Sequence, residues 1–226
     1  MELKVIAKVR TDFPSKFGIP RQSGLVETKG SIVFEPEFRD ESMLMGIEEF
    51  SHLWIIWGFS EHFDKGWSPT VRPPKLGGNE RRGVFATRSP FRPNPLGLSC
   101  VKFIGLERTE EYGVVLHILG VDMVNETPVY DIKPYLPYVE AHIDAAGGFA
   151  QEKQQYRLNV IIPDEWKIMI PSDHLEVICD ILAQDPRPAY QNDPDRIYGM
   201  EYLDLDIRFQ IDGENLIVCE VYEIKG

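Results

Sequence analysis

The stretch LGLSCVKFIGL, residues 96–106, decides the fold class together with YGVVLHILGV, residues 112–121, which follows it after a short charged turn. Both are rich in β-branched and other apolar residues and are bounded by turn-forming or charged residues, a pattern typical of strands. The same strand pattern occurs in four further stretches of the first 140 residues: VIAKV, SHLWIIWGF, GVFATR and PVYDIKPY. Several short strands joined by tight turns predict a mainly β domain, a sandwich or a barrel.

Other local patterns limit this prediction. DESMLMGIEEF, residues 40–50, favours one or two helical turns, although Gly46 weakens them. Neither a glycine-rich phosphate loop after the first strand nor alternating strands and helices are present in the sequence. A doubly wound nucleotide-binding fold is therefore not expected.

A second, smaller unit follows the small and polar connection AAGGFAQEKQQ. SDHLE at residues 172–176 can cap a helix whose apolar residues recur at helical spacing, and the prolines of DPRP should end it. LDLDIRFQI, residues 203–211, alternates apolar and polar residues, and ENLIVCEVYEI returns after an Asp-Gly turn. We expect one helix packed on one β-hairpin, a small α+β domain.

The composition is typical of a folded chain that can bury a substantial core, since 43% of the residues are hydrophobic and 11% are aromatic. The net charge is −12. No apolar run is long enough to span a bilayer, and the first ten residues lack the layout of a secretory signal, so we expect a cytoplasmic protein. The three cysteines are far apart and the five histidines show no metal spacing, so no metal site is expected.

The charge is unevenly distributed along the chain. Residues 151–226 hold 7 Lys and Arg against 16 Asp and Glu, whereas residues 72–102 hold seven basic residues against a single acid, Glu80. Such a basic island favours a phosphate-bearing partner. A solvated loop with nothing bound fits the charge equally well.

The loop RSPFRPNPLG, residues 88–97, lies within that island. Its three prolines fix the backbone, so its side chains have little freedom to lose on binding. Arg88 and Arg92 offer forked donors for a carboxylate or phosphate, and Asn94 offers a donor and an acceptor. A proline-stiffened strand connection with surface arginines is the simpler reading of this loop taken alone.

Motifs over the whole chain resemble the TsaA-like family, in particular its bacterial tRNA-methylating branch. They are PRQSGL at 20–25, FSHLWII at 50–56, RPPKLGG at 72–78, GVFATRSPFRPNPLGLS at 83–99, TPVYDIKPYLPY at 127–138 and the C-terminal AQDPRPAYQ at 183–191. The resemblance implies a single-sheet β-barrel, a homodimer, and an S-adenosylmethionine-dependent enzyme that methylates N6 of threonylcarbamoyl-adenosine 37 beside the tRNA anticodon. It implies a cofactor-binding barrel over residues 1–145 and a linker with the small α+β domain over residues 146–226.

The resemblance also implies which residues bind S-adenosylmethionine. They lie in the PRQ turn, the basic loop, the end of the aromatic strand and a later strand end: Pro20, Arg21, Gln22, Ser60, Glu61, Arg88, Leu98, Leu119, Gly120, Val121 and Asp122. Arginine can pair with the carboxylate of the cofactor, and an acid with its hydroxyls or ammonium group. Asp122 fits a turn-capping role equally well.

Proton transfer and tRNA contact need further residues. The acceptor nitrogen is urea-like and poorly nucleophilic, so some group should take its proton. Asp131 is the expected base, with Lys133 or Tyr135, on the same face of a strand, as the polarising donor, and each fits a structural role as well. The expected tRNA-binding residues are Arg72, Lys75, Arg81, Arg82, Arg92, Asn94, Arg187 and Tyr190.

Some of these contacts have alternatives. Arg187 and Tyr190 fit a dimer or domain contact as well as contact with the anticodon arm, and the aromatic residues of WGFSEHFDKGW could stack a base or belong to a core. A related enzyme with a non-tRNA acceptor, or a cofactor-binding or RNA-binding module without turnover, is the alternative function.

Overall fold

A closed β-barrel forms the first part of the computed structural model, which describes residues 2–76, 80–150, 156–187, 191 and 193–224. The first eight strands are β1 (Ala7–Thr11), β2 (Lys29–Phe34), β3 (His52–Gly58), β4 (Thr70–Val71), β5 (Arg82–Gly83), β6 (Leu96–Thr109), β7 (Gly113–Leu119) and β8 (Thr127–Pro134). Six of them close the barrel in the order β1-β2-β7-β6-β3-β8, each antiparallel to its neighbours, and β4 and β5 pair in a separate ribbon. The mainly β, single-sheet barrel is confirmed.

The long strand β6 lets the sheet close. Its first half pairs with β3 and its second half with β7, and the register shifts between Phe103 and Gly105, where Gly105 has φ 148°. Such a bulge bends a strand, and glycine tolerates the positive φ. Alternate residues of β3, such as Leu53 and Ile55, are 1% and 0% exposed and fill the barrel.

Three segments differ in detail from the predicted pattern. GVFATR holds a 3-10 helix at Val84–Ala86 instead of a strand, because the N–H and Oγ1 of Thr87 both donate to the Val84 carbonyl, at 3.1 and 2.9 Å, and close the turn. β2 was not predicted, since its apolar residues form too short a run, and it is held by long-range pairing with β1 and β7. The expected helical turns form two 3-10 helices, Glu41–Leu44 and Ile47–Glu49, separated at Gly46.

The C-terminal unit is a four-stranded sheet covered by a helix. Its strands are β9 (Asn159–Ile161), β10 (Tyr198–Tyr202), β11 (Leu205–Asp212) and β12 (Asn215–Glu223), and the helices after β8 are α1 (Pro137–Glu140), α2 (Asp164–Lys167) and α3 (Leu175–Ala183). The sheet order is β10-β11-β12-β9, with β9 parallel to β12. The β11–β12 hairpin therefore lies inside a larger sheet, and α3 buries Ile178, Ile181 and Leu182.

Two hydrophobic cores result, one inside the barrel and one between α3 and the C-terminal sheet. The second core also contains Phe13 and Val26, which belong to the segment connecting β1 to β2. This segment, residues 12–28, is called the turn segment below because it carries the PRQ turn. No helix among the described residues is long and apolar enough to cross a membrane.

Candidate active site

One end of the barrel opens into a cavity of about 260 Å³ at the end of β3. Three residues predicted to bind the cofactor, Ser60, Glu61 and Asp122, line this cavity. Trp57 and Phe59 form an apolar wall, with their ring centroids 4.4 Å apart. The cavity combines apolar walls with a few polar groups, as small-molecule sites do.

Asp122 ends a hydrogen-bond chain that begins inside the barrel. Trp57 Nε1 donates to Ser99 Oγ at 2.9 Å, and Ser99 Oγ donates to Asp122 Oδ1 at 2.6 Å. Burial raises the pKa of Asp122, against the hydrogen bonds from Ser99 and the main chain of Ser23 and the charge of Arg88, which lower it. The chain fixes the orientation of a carboxylate that faces the cavity.

The PRQ turn lies beside the basic loop. Arg88 Nη1 donates a hydrogen bond to Gln22 Oε1. The N–H of Gly24 donates to the carbonyl of Gly120 at 3.0 Å, and a Cβ on Gly120, whose φ is 81°, would lie 3.0 Å from the Gly24 backbone. Glycine at position 120 therefore allows the close approach of the two segments. The structure brings the turn, the loop and the end of β7 together.

Several of the apolar residues predicted to bind the cofactor are buried or lie within the sheet. Pro20 is buried, and Val121 is fully buried in the barrel core. The Val121 carbonyl accepts a hydrogen bond from Thr28 Oγ1 at 2.7 Å. Leu119 ends β7 between Lys29 of β2 and Lys102 of β6. Because the side chain of Val121 is buried, only its main-chain atoms are available to contact a ligand.

The outer face of the barrel carries Leu98 and the predicted catalytic residues. Ile56 of β3 lies opposite Leu98 of β6 on one side and Asp131 of β8 on the other, so the three share one face. Leu98 is 51% exposed. Lys133 Nζ lies 2.8 Å from Asp131 Oδ2. The structure therefore brings Asp131 and Lys133 together, on a different face of the sheet from the Trp57 side chain.

Tyr135 lies beyond β8 at the edge of this outer face. Its ring centroid is 5.8 Å from that of Trp54 and 6.2 Å from that of His52. Its main-chain N–H donates to the His52 carbonyl at 3.0 Å. Tyr135 is thus held by its neighbours and lies farther along the strand direction than the Asp131–Lys133 pair.

Several exposed aromatic side chains lie in the part of the chain between β3 and β6. The ring of Phe91, which is 40% exposed, lies 5.1 Å from that of His62, and His62 lines the cavity. Trp67 and Phe85 are 59% and 80% exposed. Trp57, in contrast, is 7% exposed and belongs to the barrel core. Of the two alternatives for the aromatic stretch, a place in the core holds for Trp57 and for Phe59, which packs against that core, whereas Trp67 is exposed.

The basic residues predicted to contact tRNA differ in their exposure and in the contacts that they make within the protein. Arg72 and Arg81 are exposed, and Arg81 Nη1 donates to Thr70 Oγ1 at 2.9 Å. Arg82 forms an ion pair of 2.7 Å with Glu80. Arg92 Nη1 donates to the carbonyls of Thr87 and Ser89 at 3.1 and 3.3 Å and so braces its own loop.

The remaining predicted tRNA contacts include one exposed residue and one that is nearly enclosed. Asn94 is exposed at the turn of the basic loop. The Arg187 side chain is 12% exposed and pairs with Asp185. Tyr190 and the side chain of Lys75 lie outside the described residues.

Sequence reasoning missed the residues that support Asp122 from inside the barrel. Ser99 is fully buried and Trp57 nearly so, and neither was predicted as part of the site. The alternation in LGLSCV does place Ser99 and Leu98 on opposite faces of β6, which was an available signal. Among the described residues, no group of His, Cys, Asp and Glu side chains could hold a metal ion.

Two family models and several curated proteins match this chain. Residues 8–141 match the family model of the tRNA-methyltransferase O N-terminal domain, and residues 156–224 match the TrmO C-terminal domain. The tRNA (adenine(37)-N6)-methyltransferase of Escherichia coli (strain K12) is 37% identical over 93% of each chain. The enzyme of the same name from Eikenella corrodens is 49% identical over 78% of this chain and 99% of its own.

A solved structure agrees with these matches. The crystal structure of TrmO from Pseudomonas aeruginosa has a TM-score of 0.75 and 31% identity, over 98% of both chains. Barrel, site and matches together define a β-barrel methyltransferase. The chain belongs to the TrmO family of tRNA methyltransferases, and the resemblance read from the sequence motifs is confirmed.

Proposed function

We propose that this chain transfers the methyl group of S-adenosylmethionine to N6 of adenine 37 in tRNA, where the adenosine carries a threonylcarbamoyl group. The observation that carries the proposal is the convergence of Gln22, Arg88 and Asp122 beside an apolar cavity in a chain of the TrmO family. S-adenosylmethionine, when bound, supplies an electrophilic methyl group. The protein must hold the cofactor, align the acceptor nitrogen and take its proton.

The residues around the PRQ turn fit the charges of the cofactor. Arg21 and Arg88 are exposed guanidinium groups that can pair with its carboxylate. Asp122 and Glu61 can accept hydrogen bonds from hydroxyl or ammonium groups, and Trp57 offers an apolar wall. The other positions proposed for the cofactor are Pro20, Gln22, Ser60, Leu98, Leu119, Gly120 and Val121.

Asp131 is proposed to take the proton from the acceptor nitrogen. Leu98 and Asp131 flank Ile56, so two strand spacings, about 10 Å, separate them. A cofactor whose reactive end reaches Leu98 can therefore face an acceptor over Asp131. Lys133, 2.8 Å from Asp131, or Tyr135 would donate a hydrogen bond to the carbamoyl oxygen.

The tRNA is proposed to approach the loops at the cavity entrance. Their exposed aromatic rings can stack an unpaired base, and their basic side chains can contact phosphates. The proposed contacts are Arg72, Lys75, Arg81, Arg82, Arg92 and Asn94, with Tyr190 from the C-terminal unit. Of the two roles predicted for Arg187, the domain contact is favoured over the tRNA contact, because its side chain is 12% exposed and pairs with Asp185.

Charge reversal tests this surface. Arg81→Glu with Arg82→Glu should weaken tRNA binding at least about tenfold at low salt and reduce the salt slope of binding by roughly one per lost contact. Arg108→Glu with Arg157→Glu is the matched control, since both arginines are exposed and lie on other surfaces. Equal tRNA affinity of the two double variants, measured by filter binding, would remove this surface from the proposal.

A homodimer, a cytoplasmic location and two domains complete the proposal. The outer face, with half-exposed Leu98 and with Tyr138 at 82% exposure, offers apolar area for a second copy of the chain. The tRNA substrate favours the cytoplasm. The proposed division into residues 1–145 and 146–226 is supported by the separate barrel core, whereas the C-terminal core also includes the turn segment.

One assay tests the reaction. Purified protein, S-adenosylmethionine and two tRNA pools, with and without threonylcarbamoyl-adenosine, are incubated, and the nucleosides are analysed by mass spectrometry. Methyl gain on the modified adenosine of the first pool alone is the expected result. Methylation of both pools would contradict the acceptor, and cofactor binding without methylation of either pool would favour the alternative acceptor or the binding module.

A further inference from the structure

The turn segment, residues 12–28, begins and ends in the barrel sheet but packs on the C-terminal unit. Phe13 is fully buried, and its ring meets that of Tyr202 edge-on at 5.3 Å. Phe17 stacks on Phe209 of β11 at 6.5 Å. The PRQ turn therefore depends for its position on a surface outside the barrel.

Gly18 of the turn segment lies against Met200 of the C-terminal unit. It has φ 89°, a conformation that favours glycine, and a Cβ at this position would overlap the side chain of Met200. Only two residues separate Gly18 from Arg21 along the chain. β10, which carries Met200, therefore contacts the turn segment close to the PRQ turn.

Polar contacts fix the beginning of the segment. Tyr202 Oη donates to Asp12 Oδ2 at 3.2 Å, and the N–H of Leu203 donates to the Asp12 carbonyl at 2.8 Å. Burial raises the pKa of Tyr202, so its hydroxyl stays protonated and available as the donor. His174 Nδ1 lies 3.4 Å from the same hydroxyl.

A second set of polar contacts fixes the PRQ turn itself. Arg21 Nη2 donates to the main-chain carbonyl of Asp185 at 3.0 Å. Arg187 Nε lies 3.0 and 3.1 Å from the two carboxylate oxygens of Asp185, and the side chains of Asp185 and Arg187 are 16% and 12% exposed. Asp185 has φ 54°, a strained conformation for a residue other than glycine, which persists where the surroundings enforce it.

We infer that Arg187 is a positioning residue for the cofactor: it fixes Asp185, and the Asp185 carbonyl fixes the guanidinium of Arg21 in the PRQ turn. The inference rests on the proposed role of Arg21 in binding S-adenosylmethionine. Arg21 keeps further N–H donors for a carboxylate after donating to Asp185. The C-terminal unit thus acts on the cofactor site through the turn segment, and the side chain of Arg187 serves the domain contact instead of tRNA.

Calorimetric titration of S-adenosylmethionine without tRNA tests this inference. Arg187→Ala should raise the dissociation constant about tenfold, the size expected for one lost charge-assisted hydrogen bond. Arg157→Ala is the control, because Arg157 also pairs with an aspartate of the C-terminal unit, Asp180, at 3.1 Å but is half exposed. Its cofactor affinity should stay within twofold of the parent, and tRNA binding of Arg187→Ala should be unchanged.

A double-variant cycle separates positioning from a general loss of structure. If Arg187 acts through Arg21, adding Arg187→Ala to Arg21→Ala should weaken cofactor binding by less than twofold more. Asp185→Asn, which weakens the same ion pair, provides a second variant in case Arg187→Ala loses its circular dichroism spectrum, and it should show an intermediate dissociation constant.

The outcomes are distinct. Unchanged cofactor affinity with weaker tRNA binding in Arg187→Ala would overturn the inference and make Arg187 a tRNA contact. Fully additive effects of the Arg21 and Arg187 variants would also overturn it. Unchanged cofactor affinity in Arg21→Ala would instead overturn the proposed cofactor role of Arg21, on which the inference rests.

Discussion

Asp122 at the end of the barrel and Asp131 on its outer face are two carboxylates in opposite environments. Asp122 faces the cavity, partly buried, and accepts a hydrogen bond of 2.6 Å from Ser99. Asp131 lies on the outer face with 44% of its side chain exposed, 2.8 Å from Lys133. A carboxylate whose orientation is fixed by buried hydrogen-bond partners can orient a ligand. A more exposed carboxylate can bind and release a proton without leaving a buried hydrogen-bond partner unpaired. The contrast supports the proposal that Asp122 binds the cofactor and Asp131 takes the proton.

The largest expected effect is on the rate. Asp131→Asn removes the proposed base, so the single-turnover rate of methyl transfer should fall at least about 100-fold, within the range for general base catalysis. Asp164→Asn is the matched control, because Asp164 is also exposed and pairs with a lysine, Lys167, at 3.0 Å. A rate of Asp131→Asn within threefold of the control would exclude Asp131 as the base.

A smaller effect is expected on stability when the hydrogen bond from Ser99 to Asp122 is removed. Ser99→Ala leaves the buried Trp57 Nε1 without its acceptor and removes one of the hydrogen-bond donors to Asp122, and should reduce the free energy of unfolding by about 1–3 kcal/mol. Cofactor affinity should fall with it. Ser31→Ala, which removes a hydroxyl bonded to His117 on the barrel exterior, should cost below about 0.5 kcal/mol. Equal urea midpoints for the two variants would contradict the Trp57–Ser99–Asp122 chain.

The smallest expected effect is a pH dependence of stability. Burial raises the pKa of Asp122 above its ordinary value. The contribution of this carboxyl group to folding is thus greatest below its unfolded pKa and is lost as the pH rises through its folded pKa. Asp122→Asn removes the loss, so its melting temperature should exceed that of the parent at pH 7, by a margin that shrinks toward about pH 4. A margin that grows on acidification would contradict the burial.

Local patterns predicted a mainly β domain, a sandwich or a barrel, and most of its strands, because such patterns depend on neighbouring residues. The resemblance to the TsaA-like family implied the single-sheet barrel. The alternation of β11 and its Asp-Gly turn likewise predicted the hairpin with β12. Four strands were not predicted, namely β2, β4, β9 and β10. Two of them, β2 and β9, depend on partners far along the chain: β9 pairs with β12 more than fifty residues later. Short sequences of this kind are strands only because a distant edge is available.

In the site, too, the sequence predicted some contacts, whereas others depend on the tertiary structure. The PRQ turn and the basic loop were predicted to act together through the resemblance, and the contact between Arg88 and Gln22 joins them. The hydrogen bond from Ser99 to Asp122 depends on how β6 meets the end of β7, which no local pattern encodes. The enclosure of Arg187 by its pair with Asp185 likewise requires the tertiary structure.

The most direct test of the contrast is the dissociation constant of S-adenosylmethionine, measured by calorimetry on Asp122→Asn and Asp131→Asn side by side. The proposed roles predict at least about tenfold weaker binding for Asp122→Asn, which loses a charge-assisted contact, and a change within twofold for Asp131→Asn. Equal weakening in both variants, or weakening in Asp131→Asn alone, would contradict the assignment of binding to the barrel end and of proton transfer to the outer face.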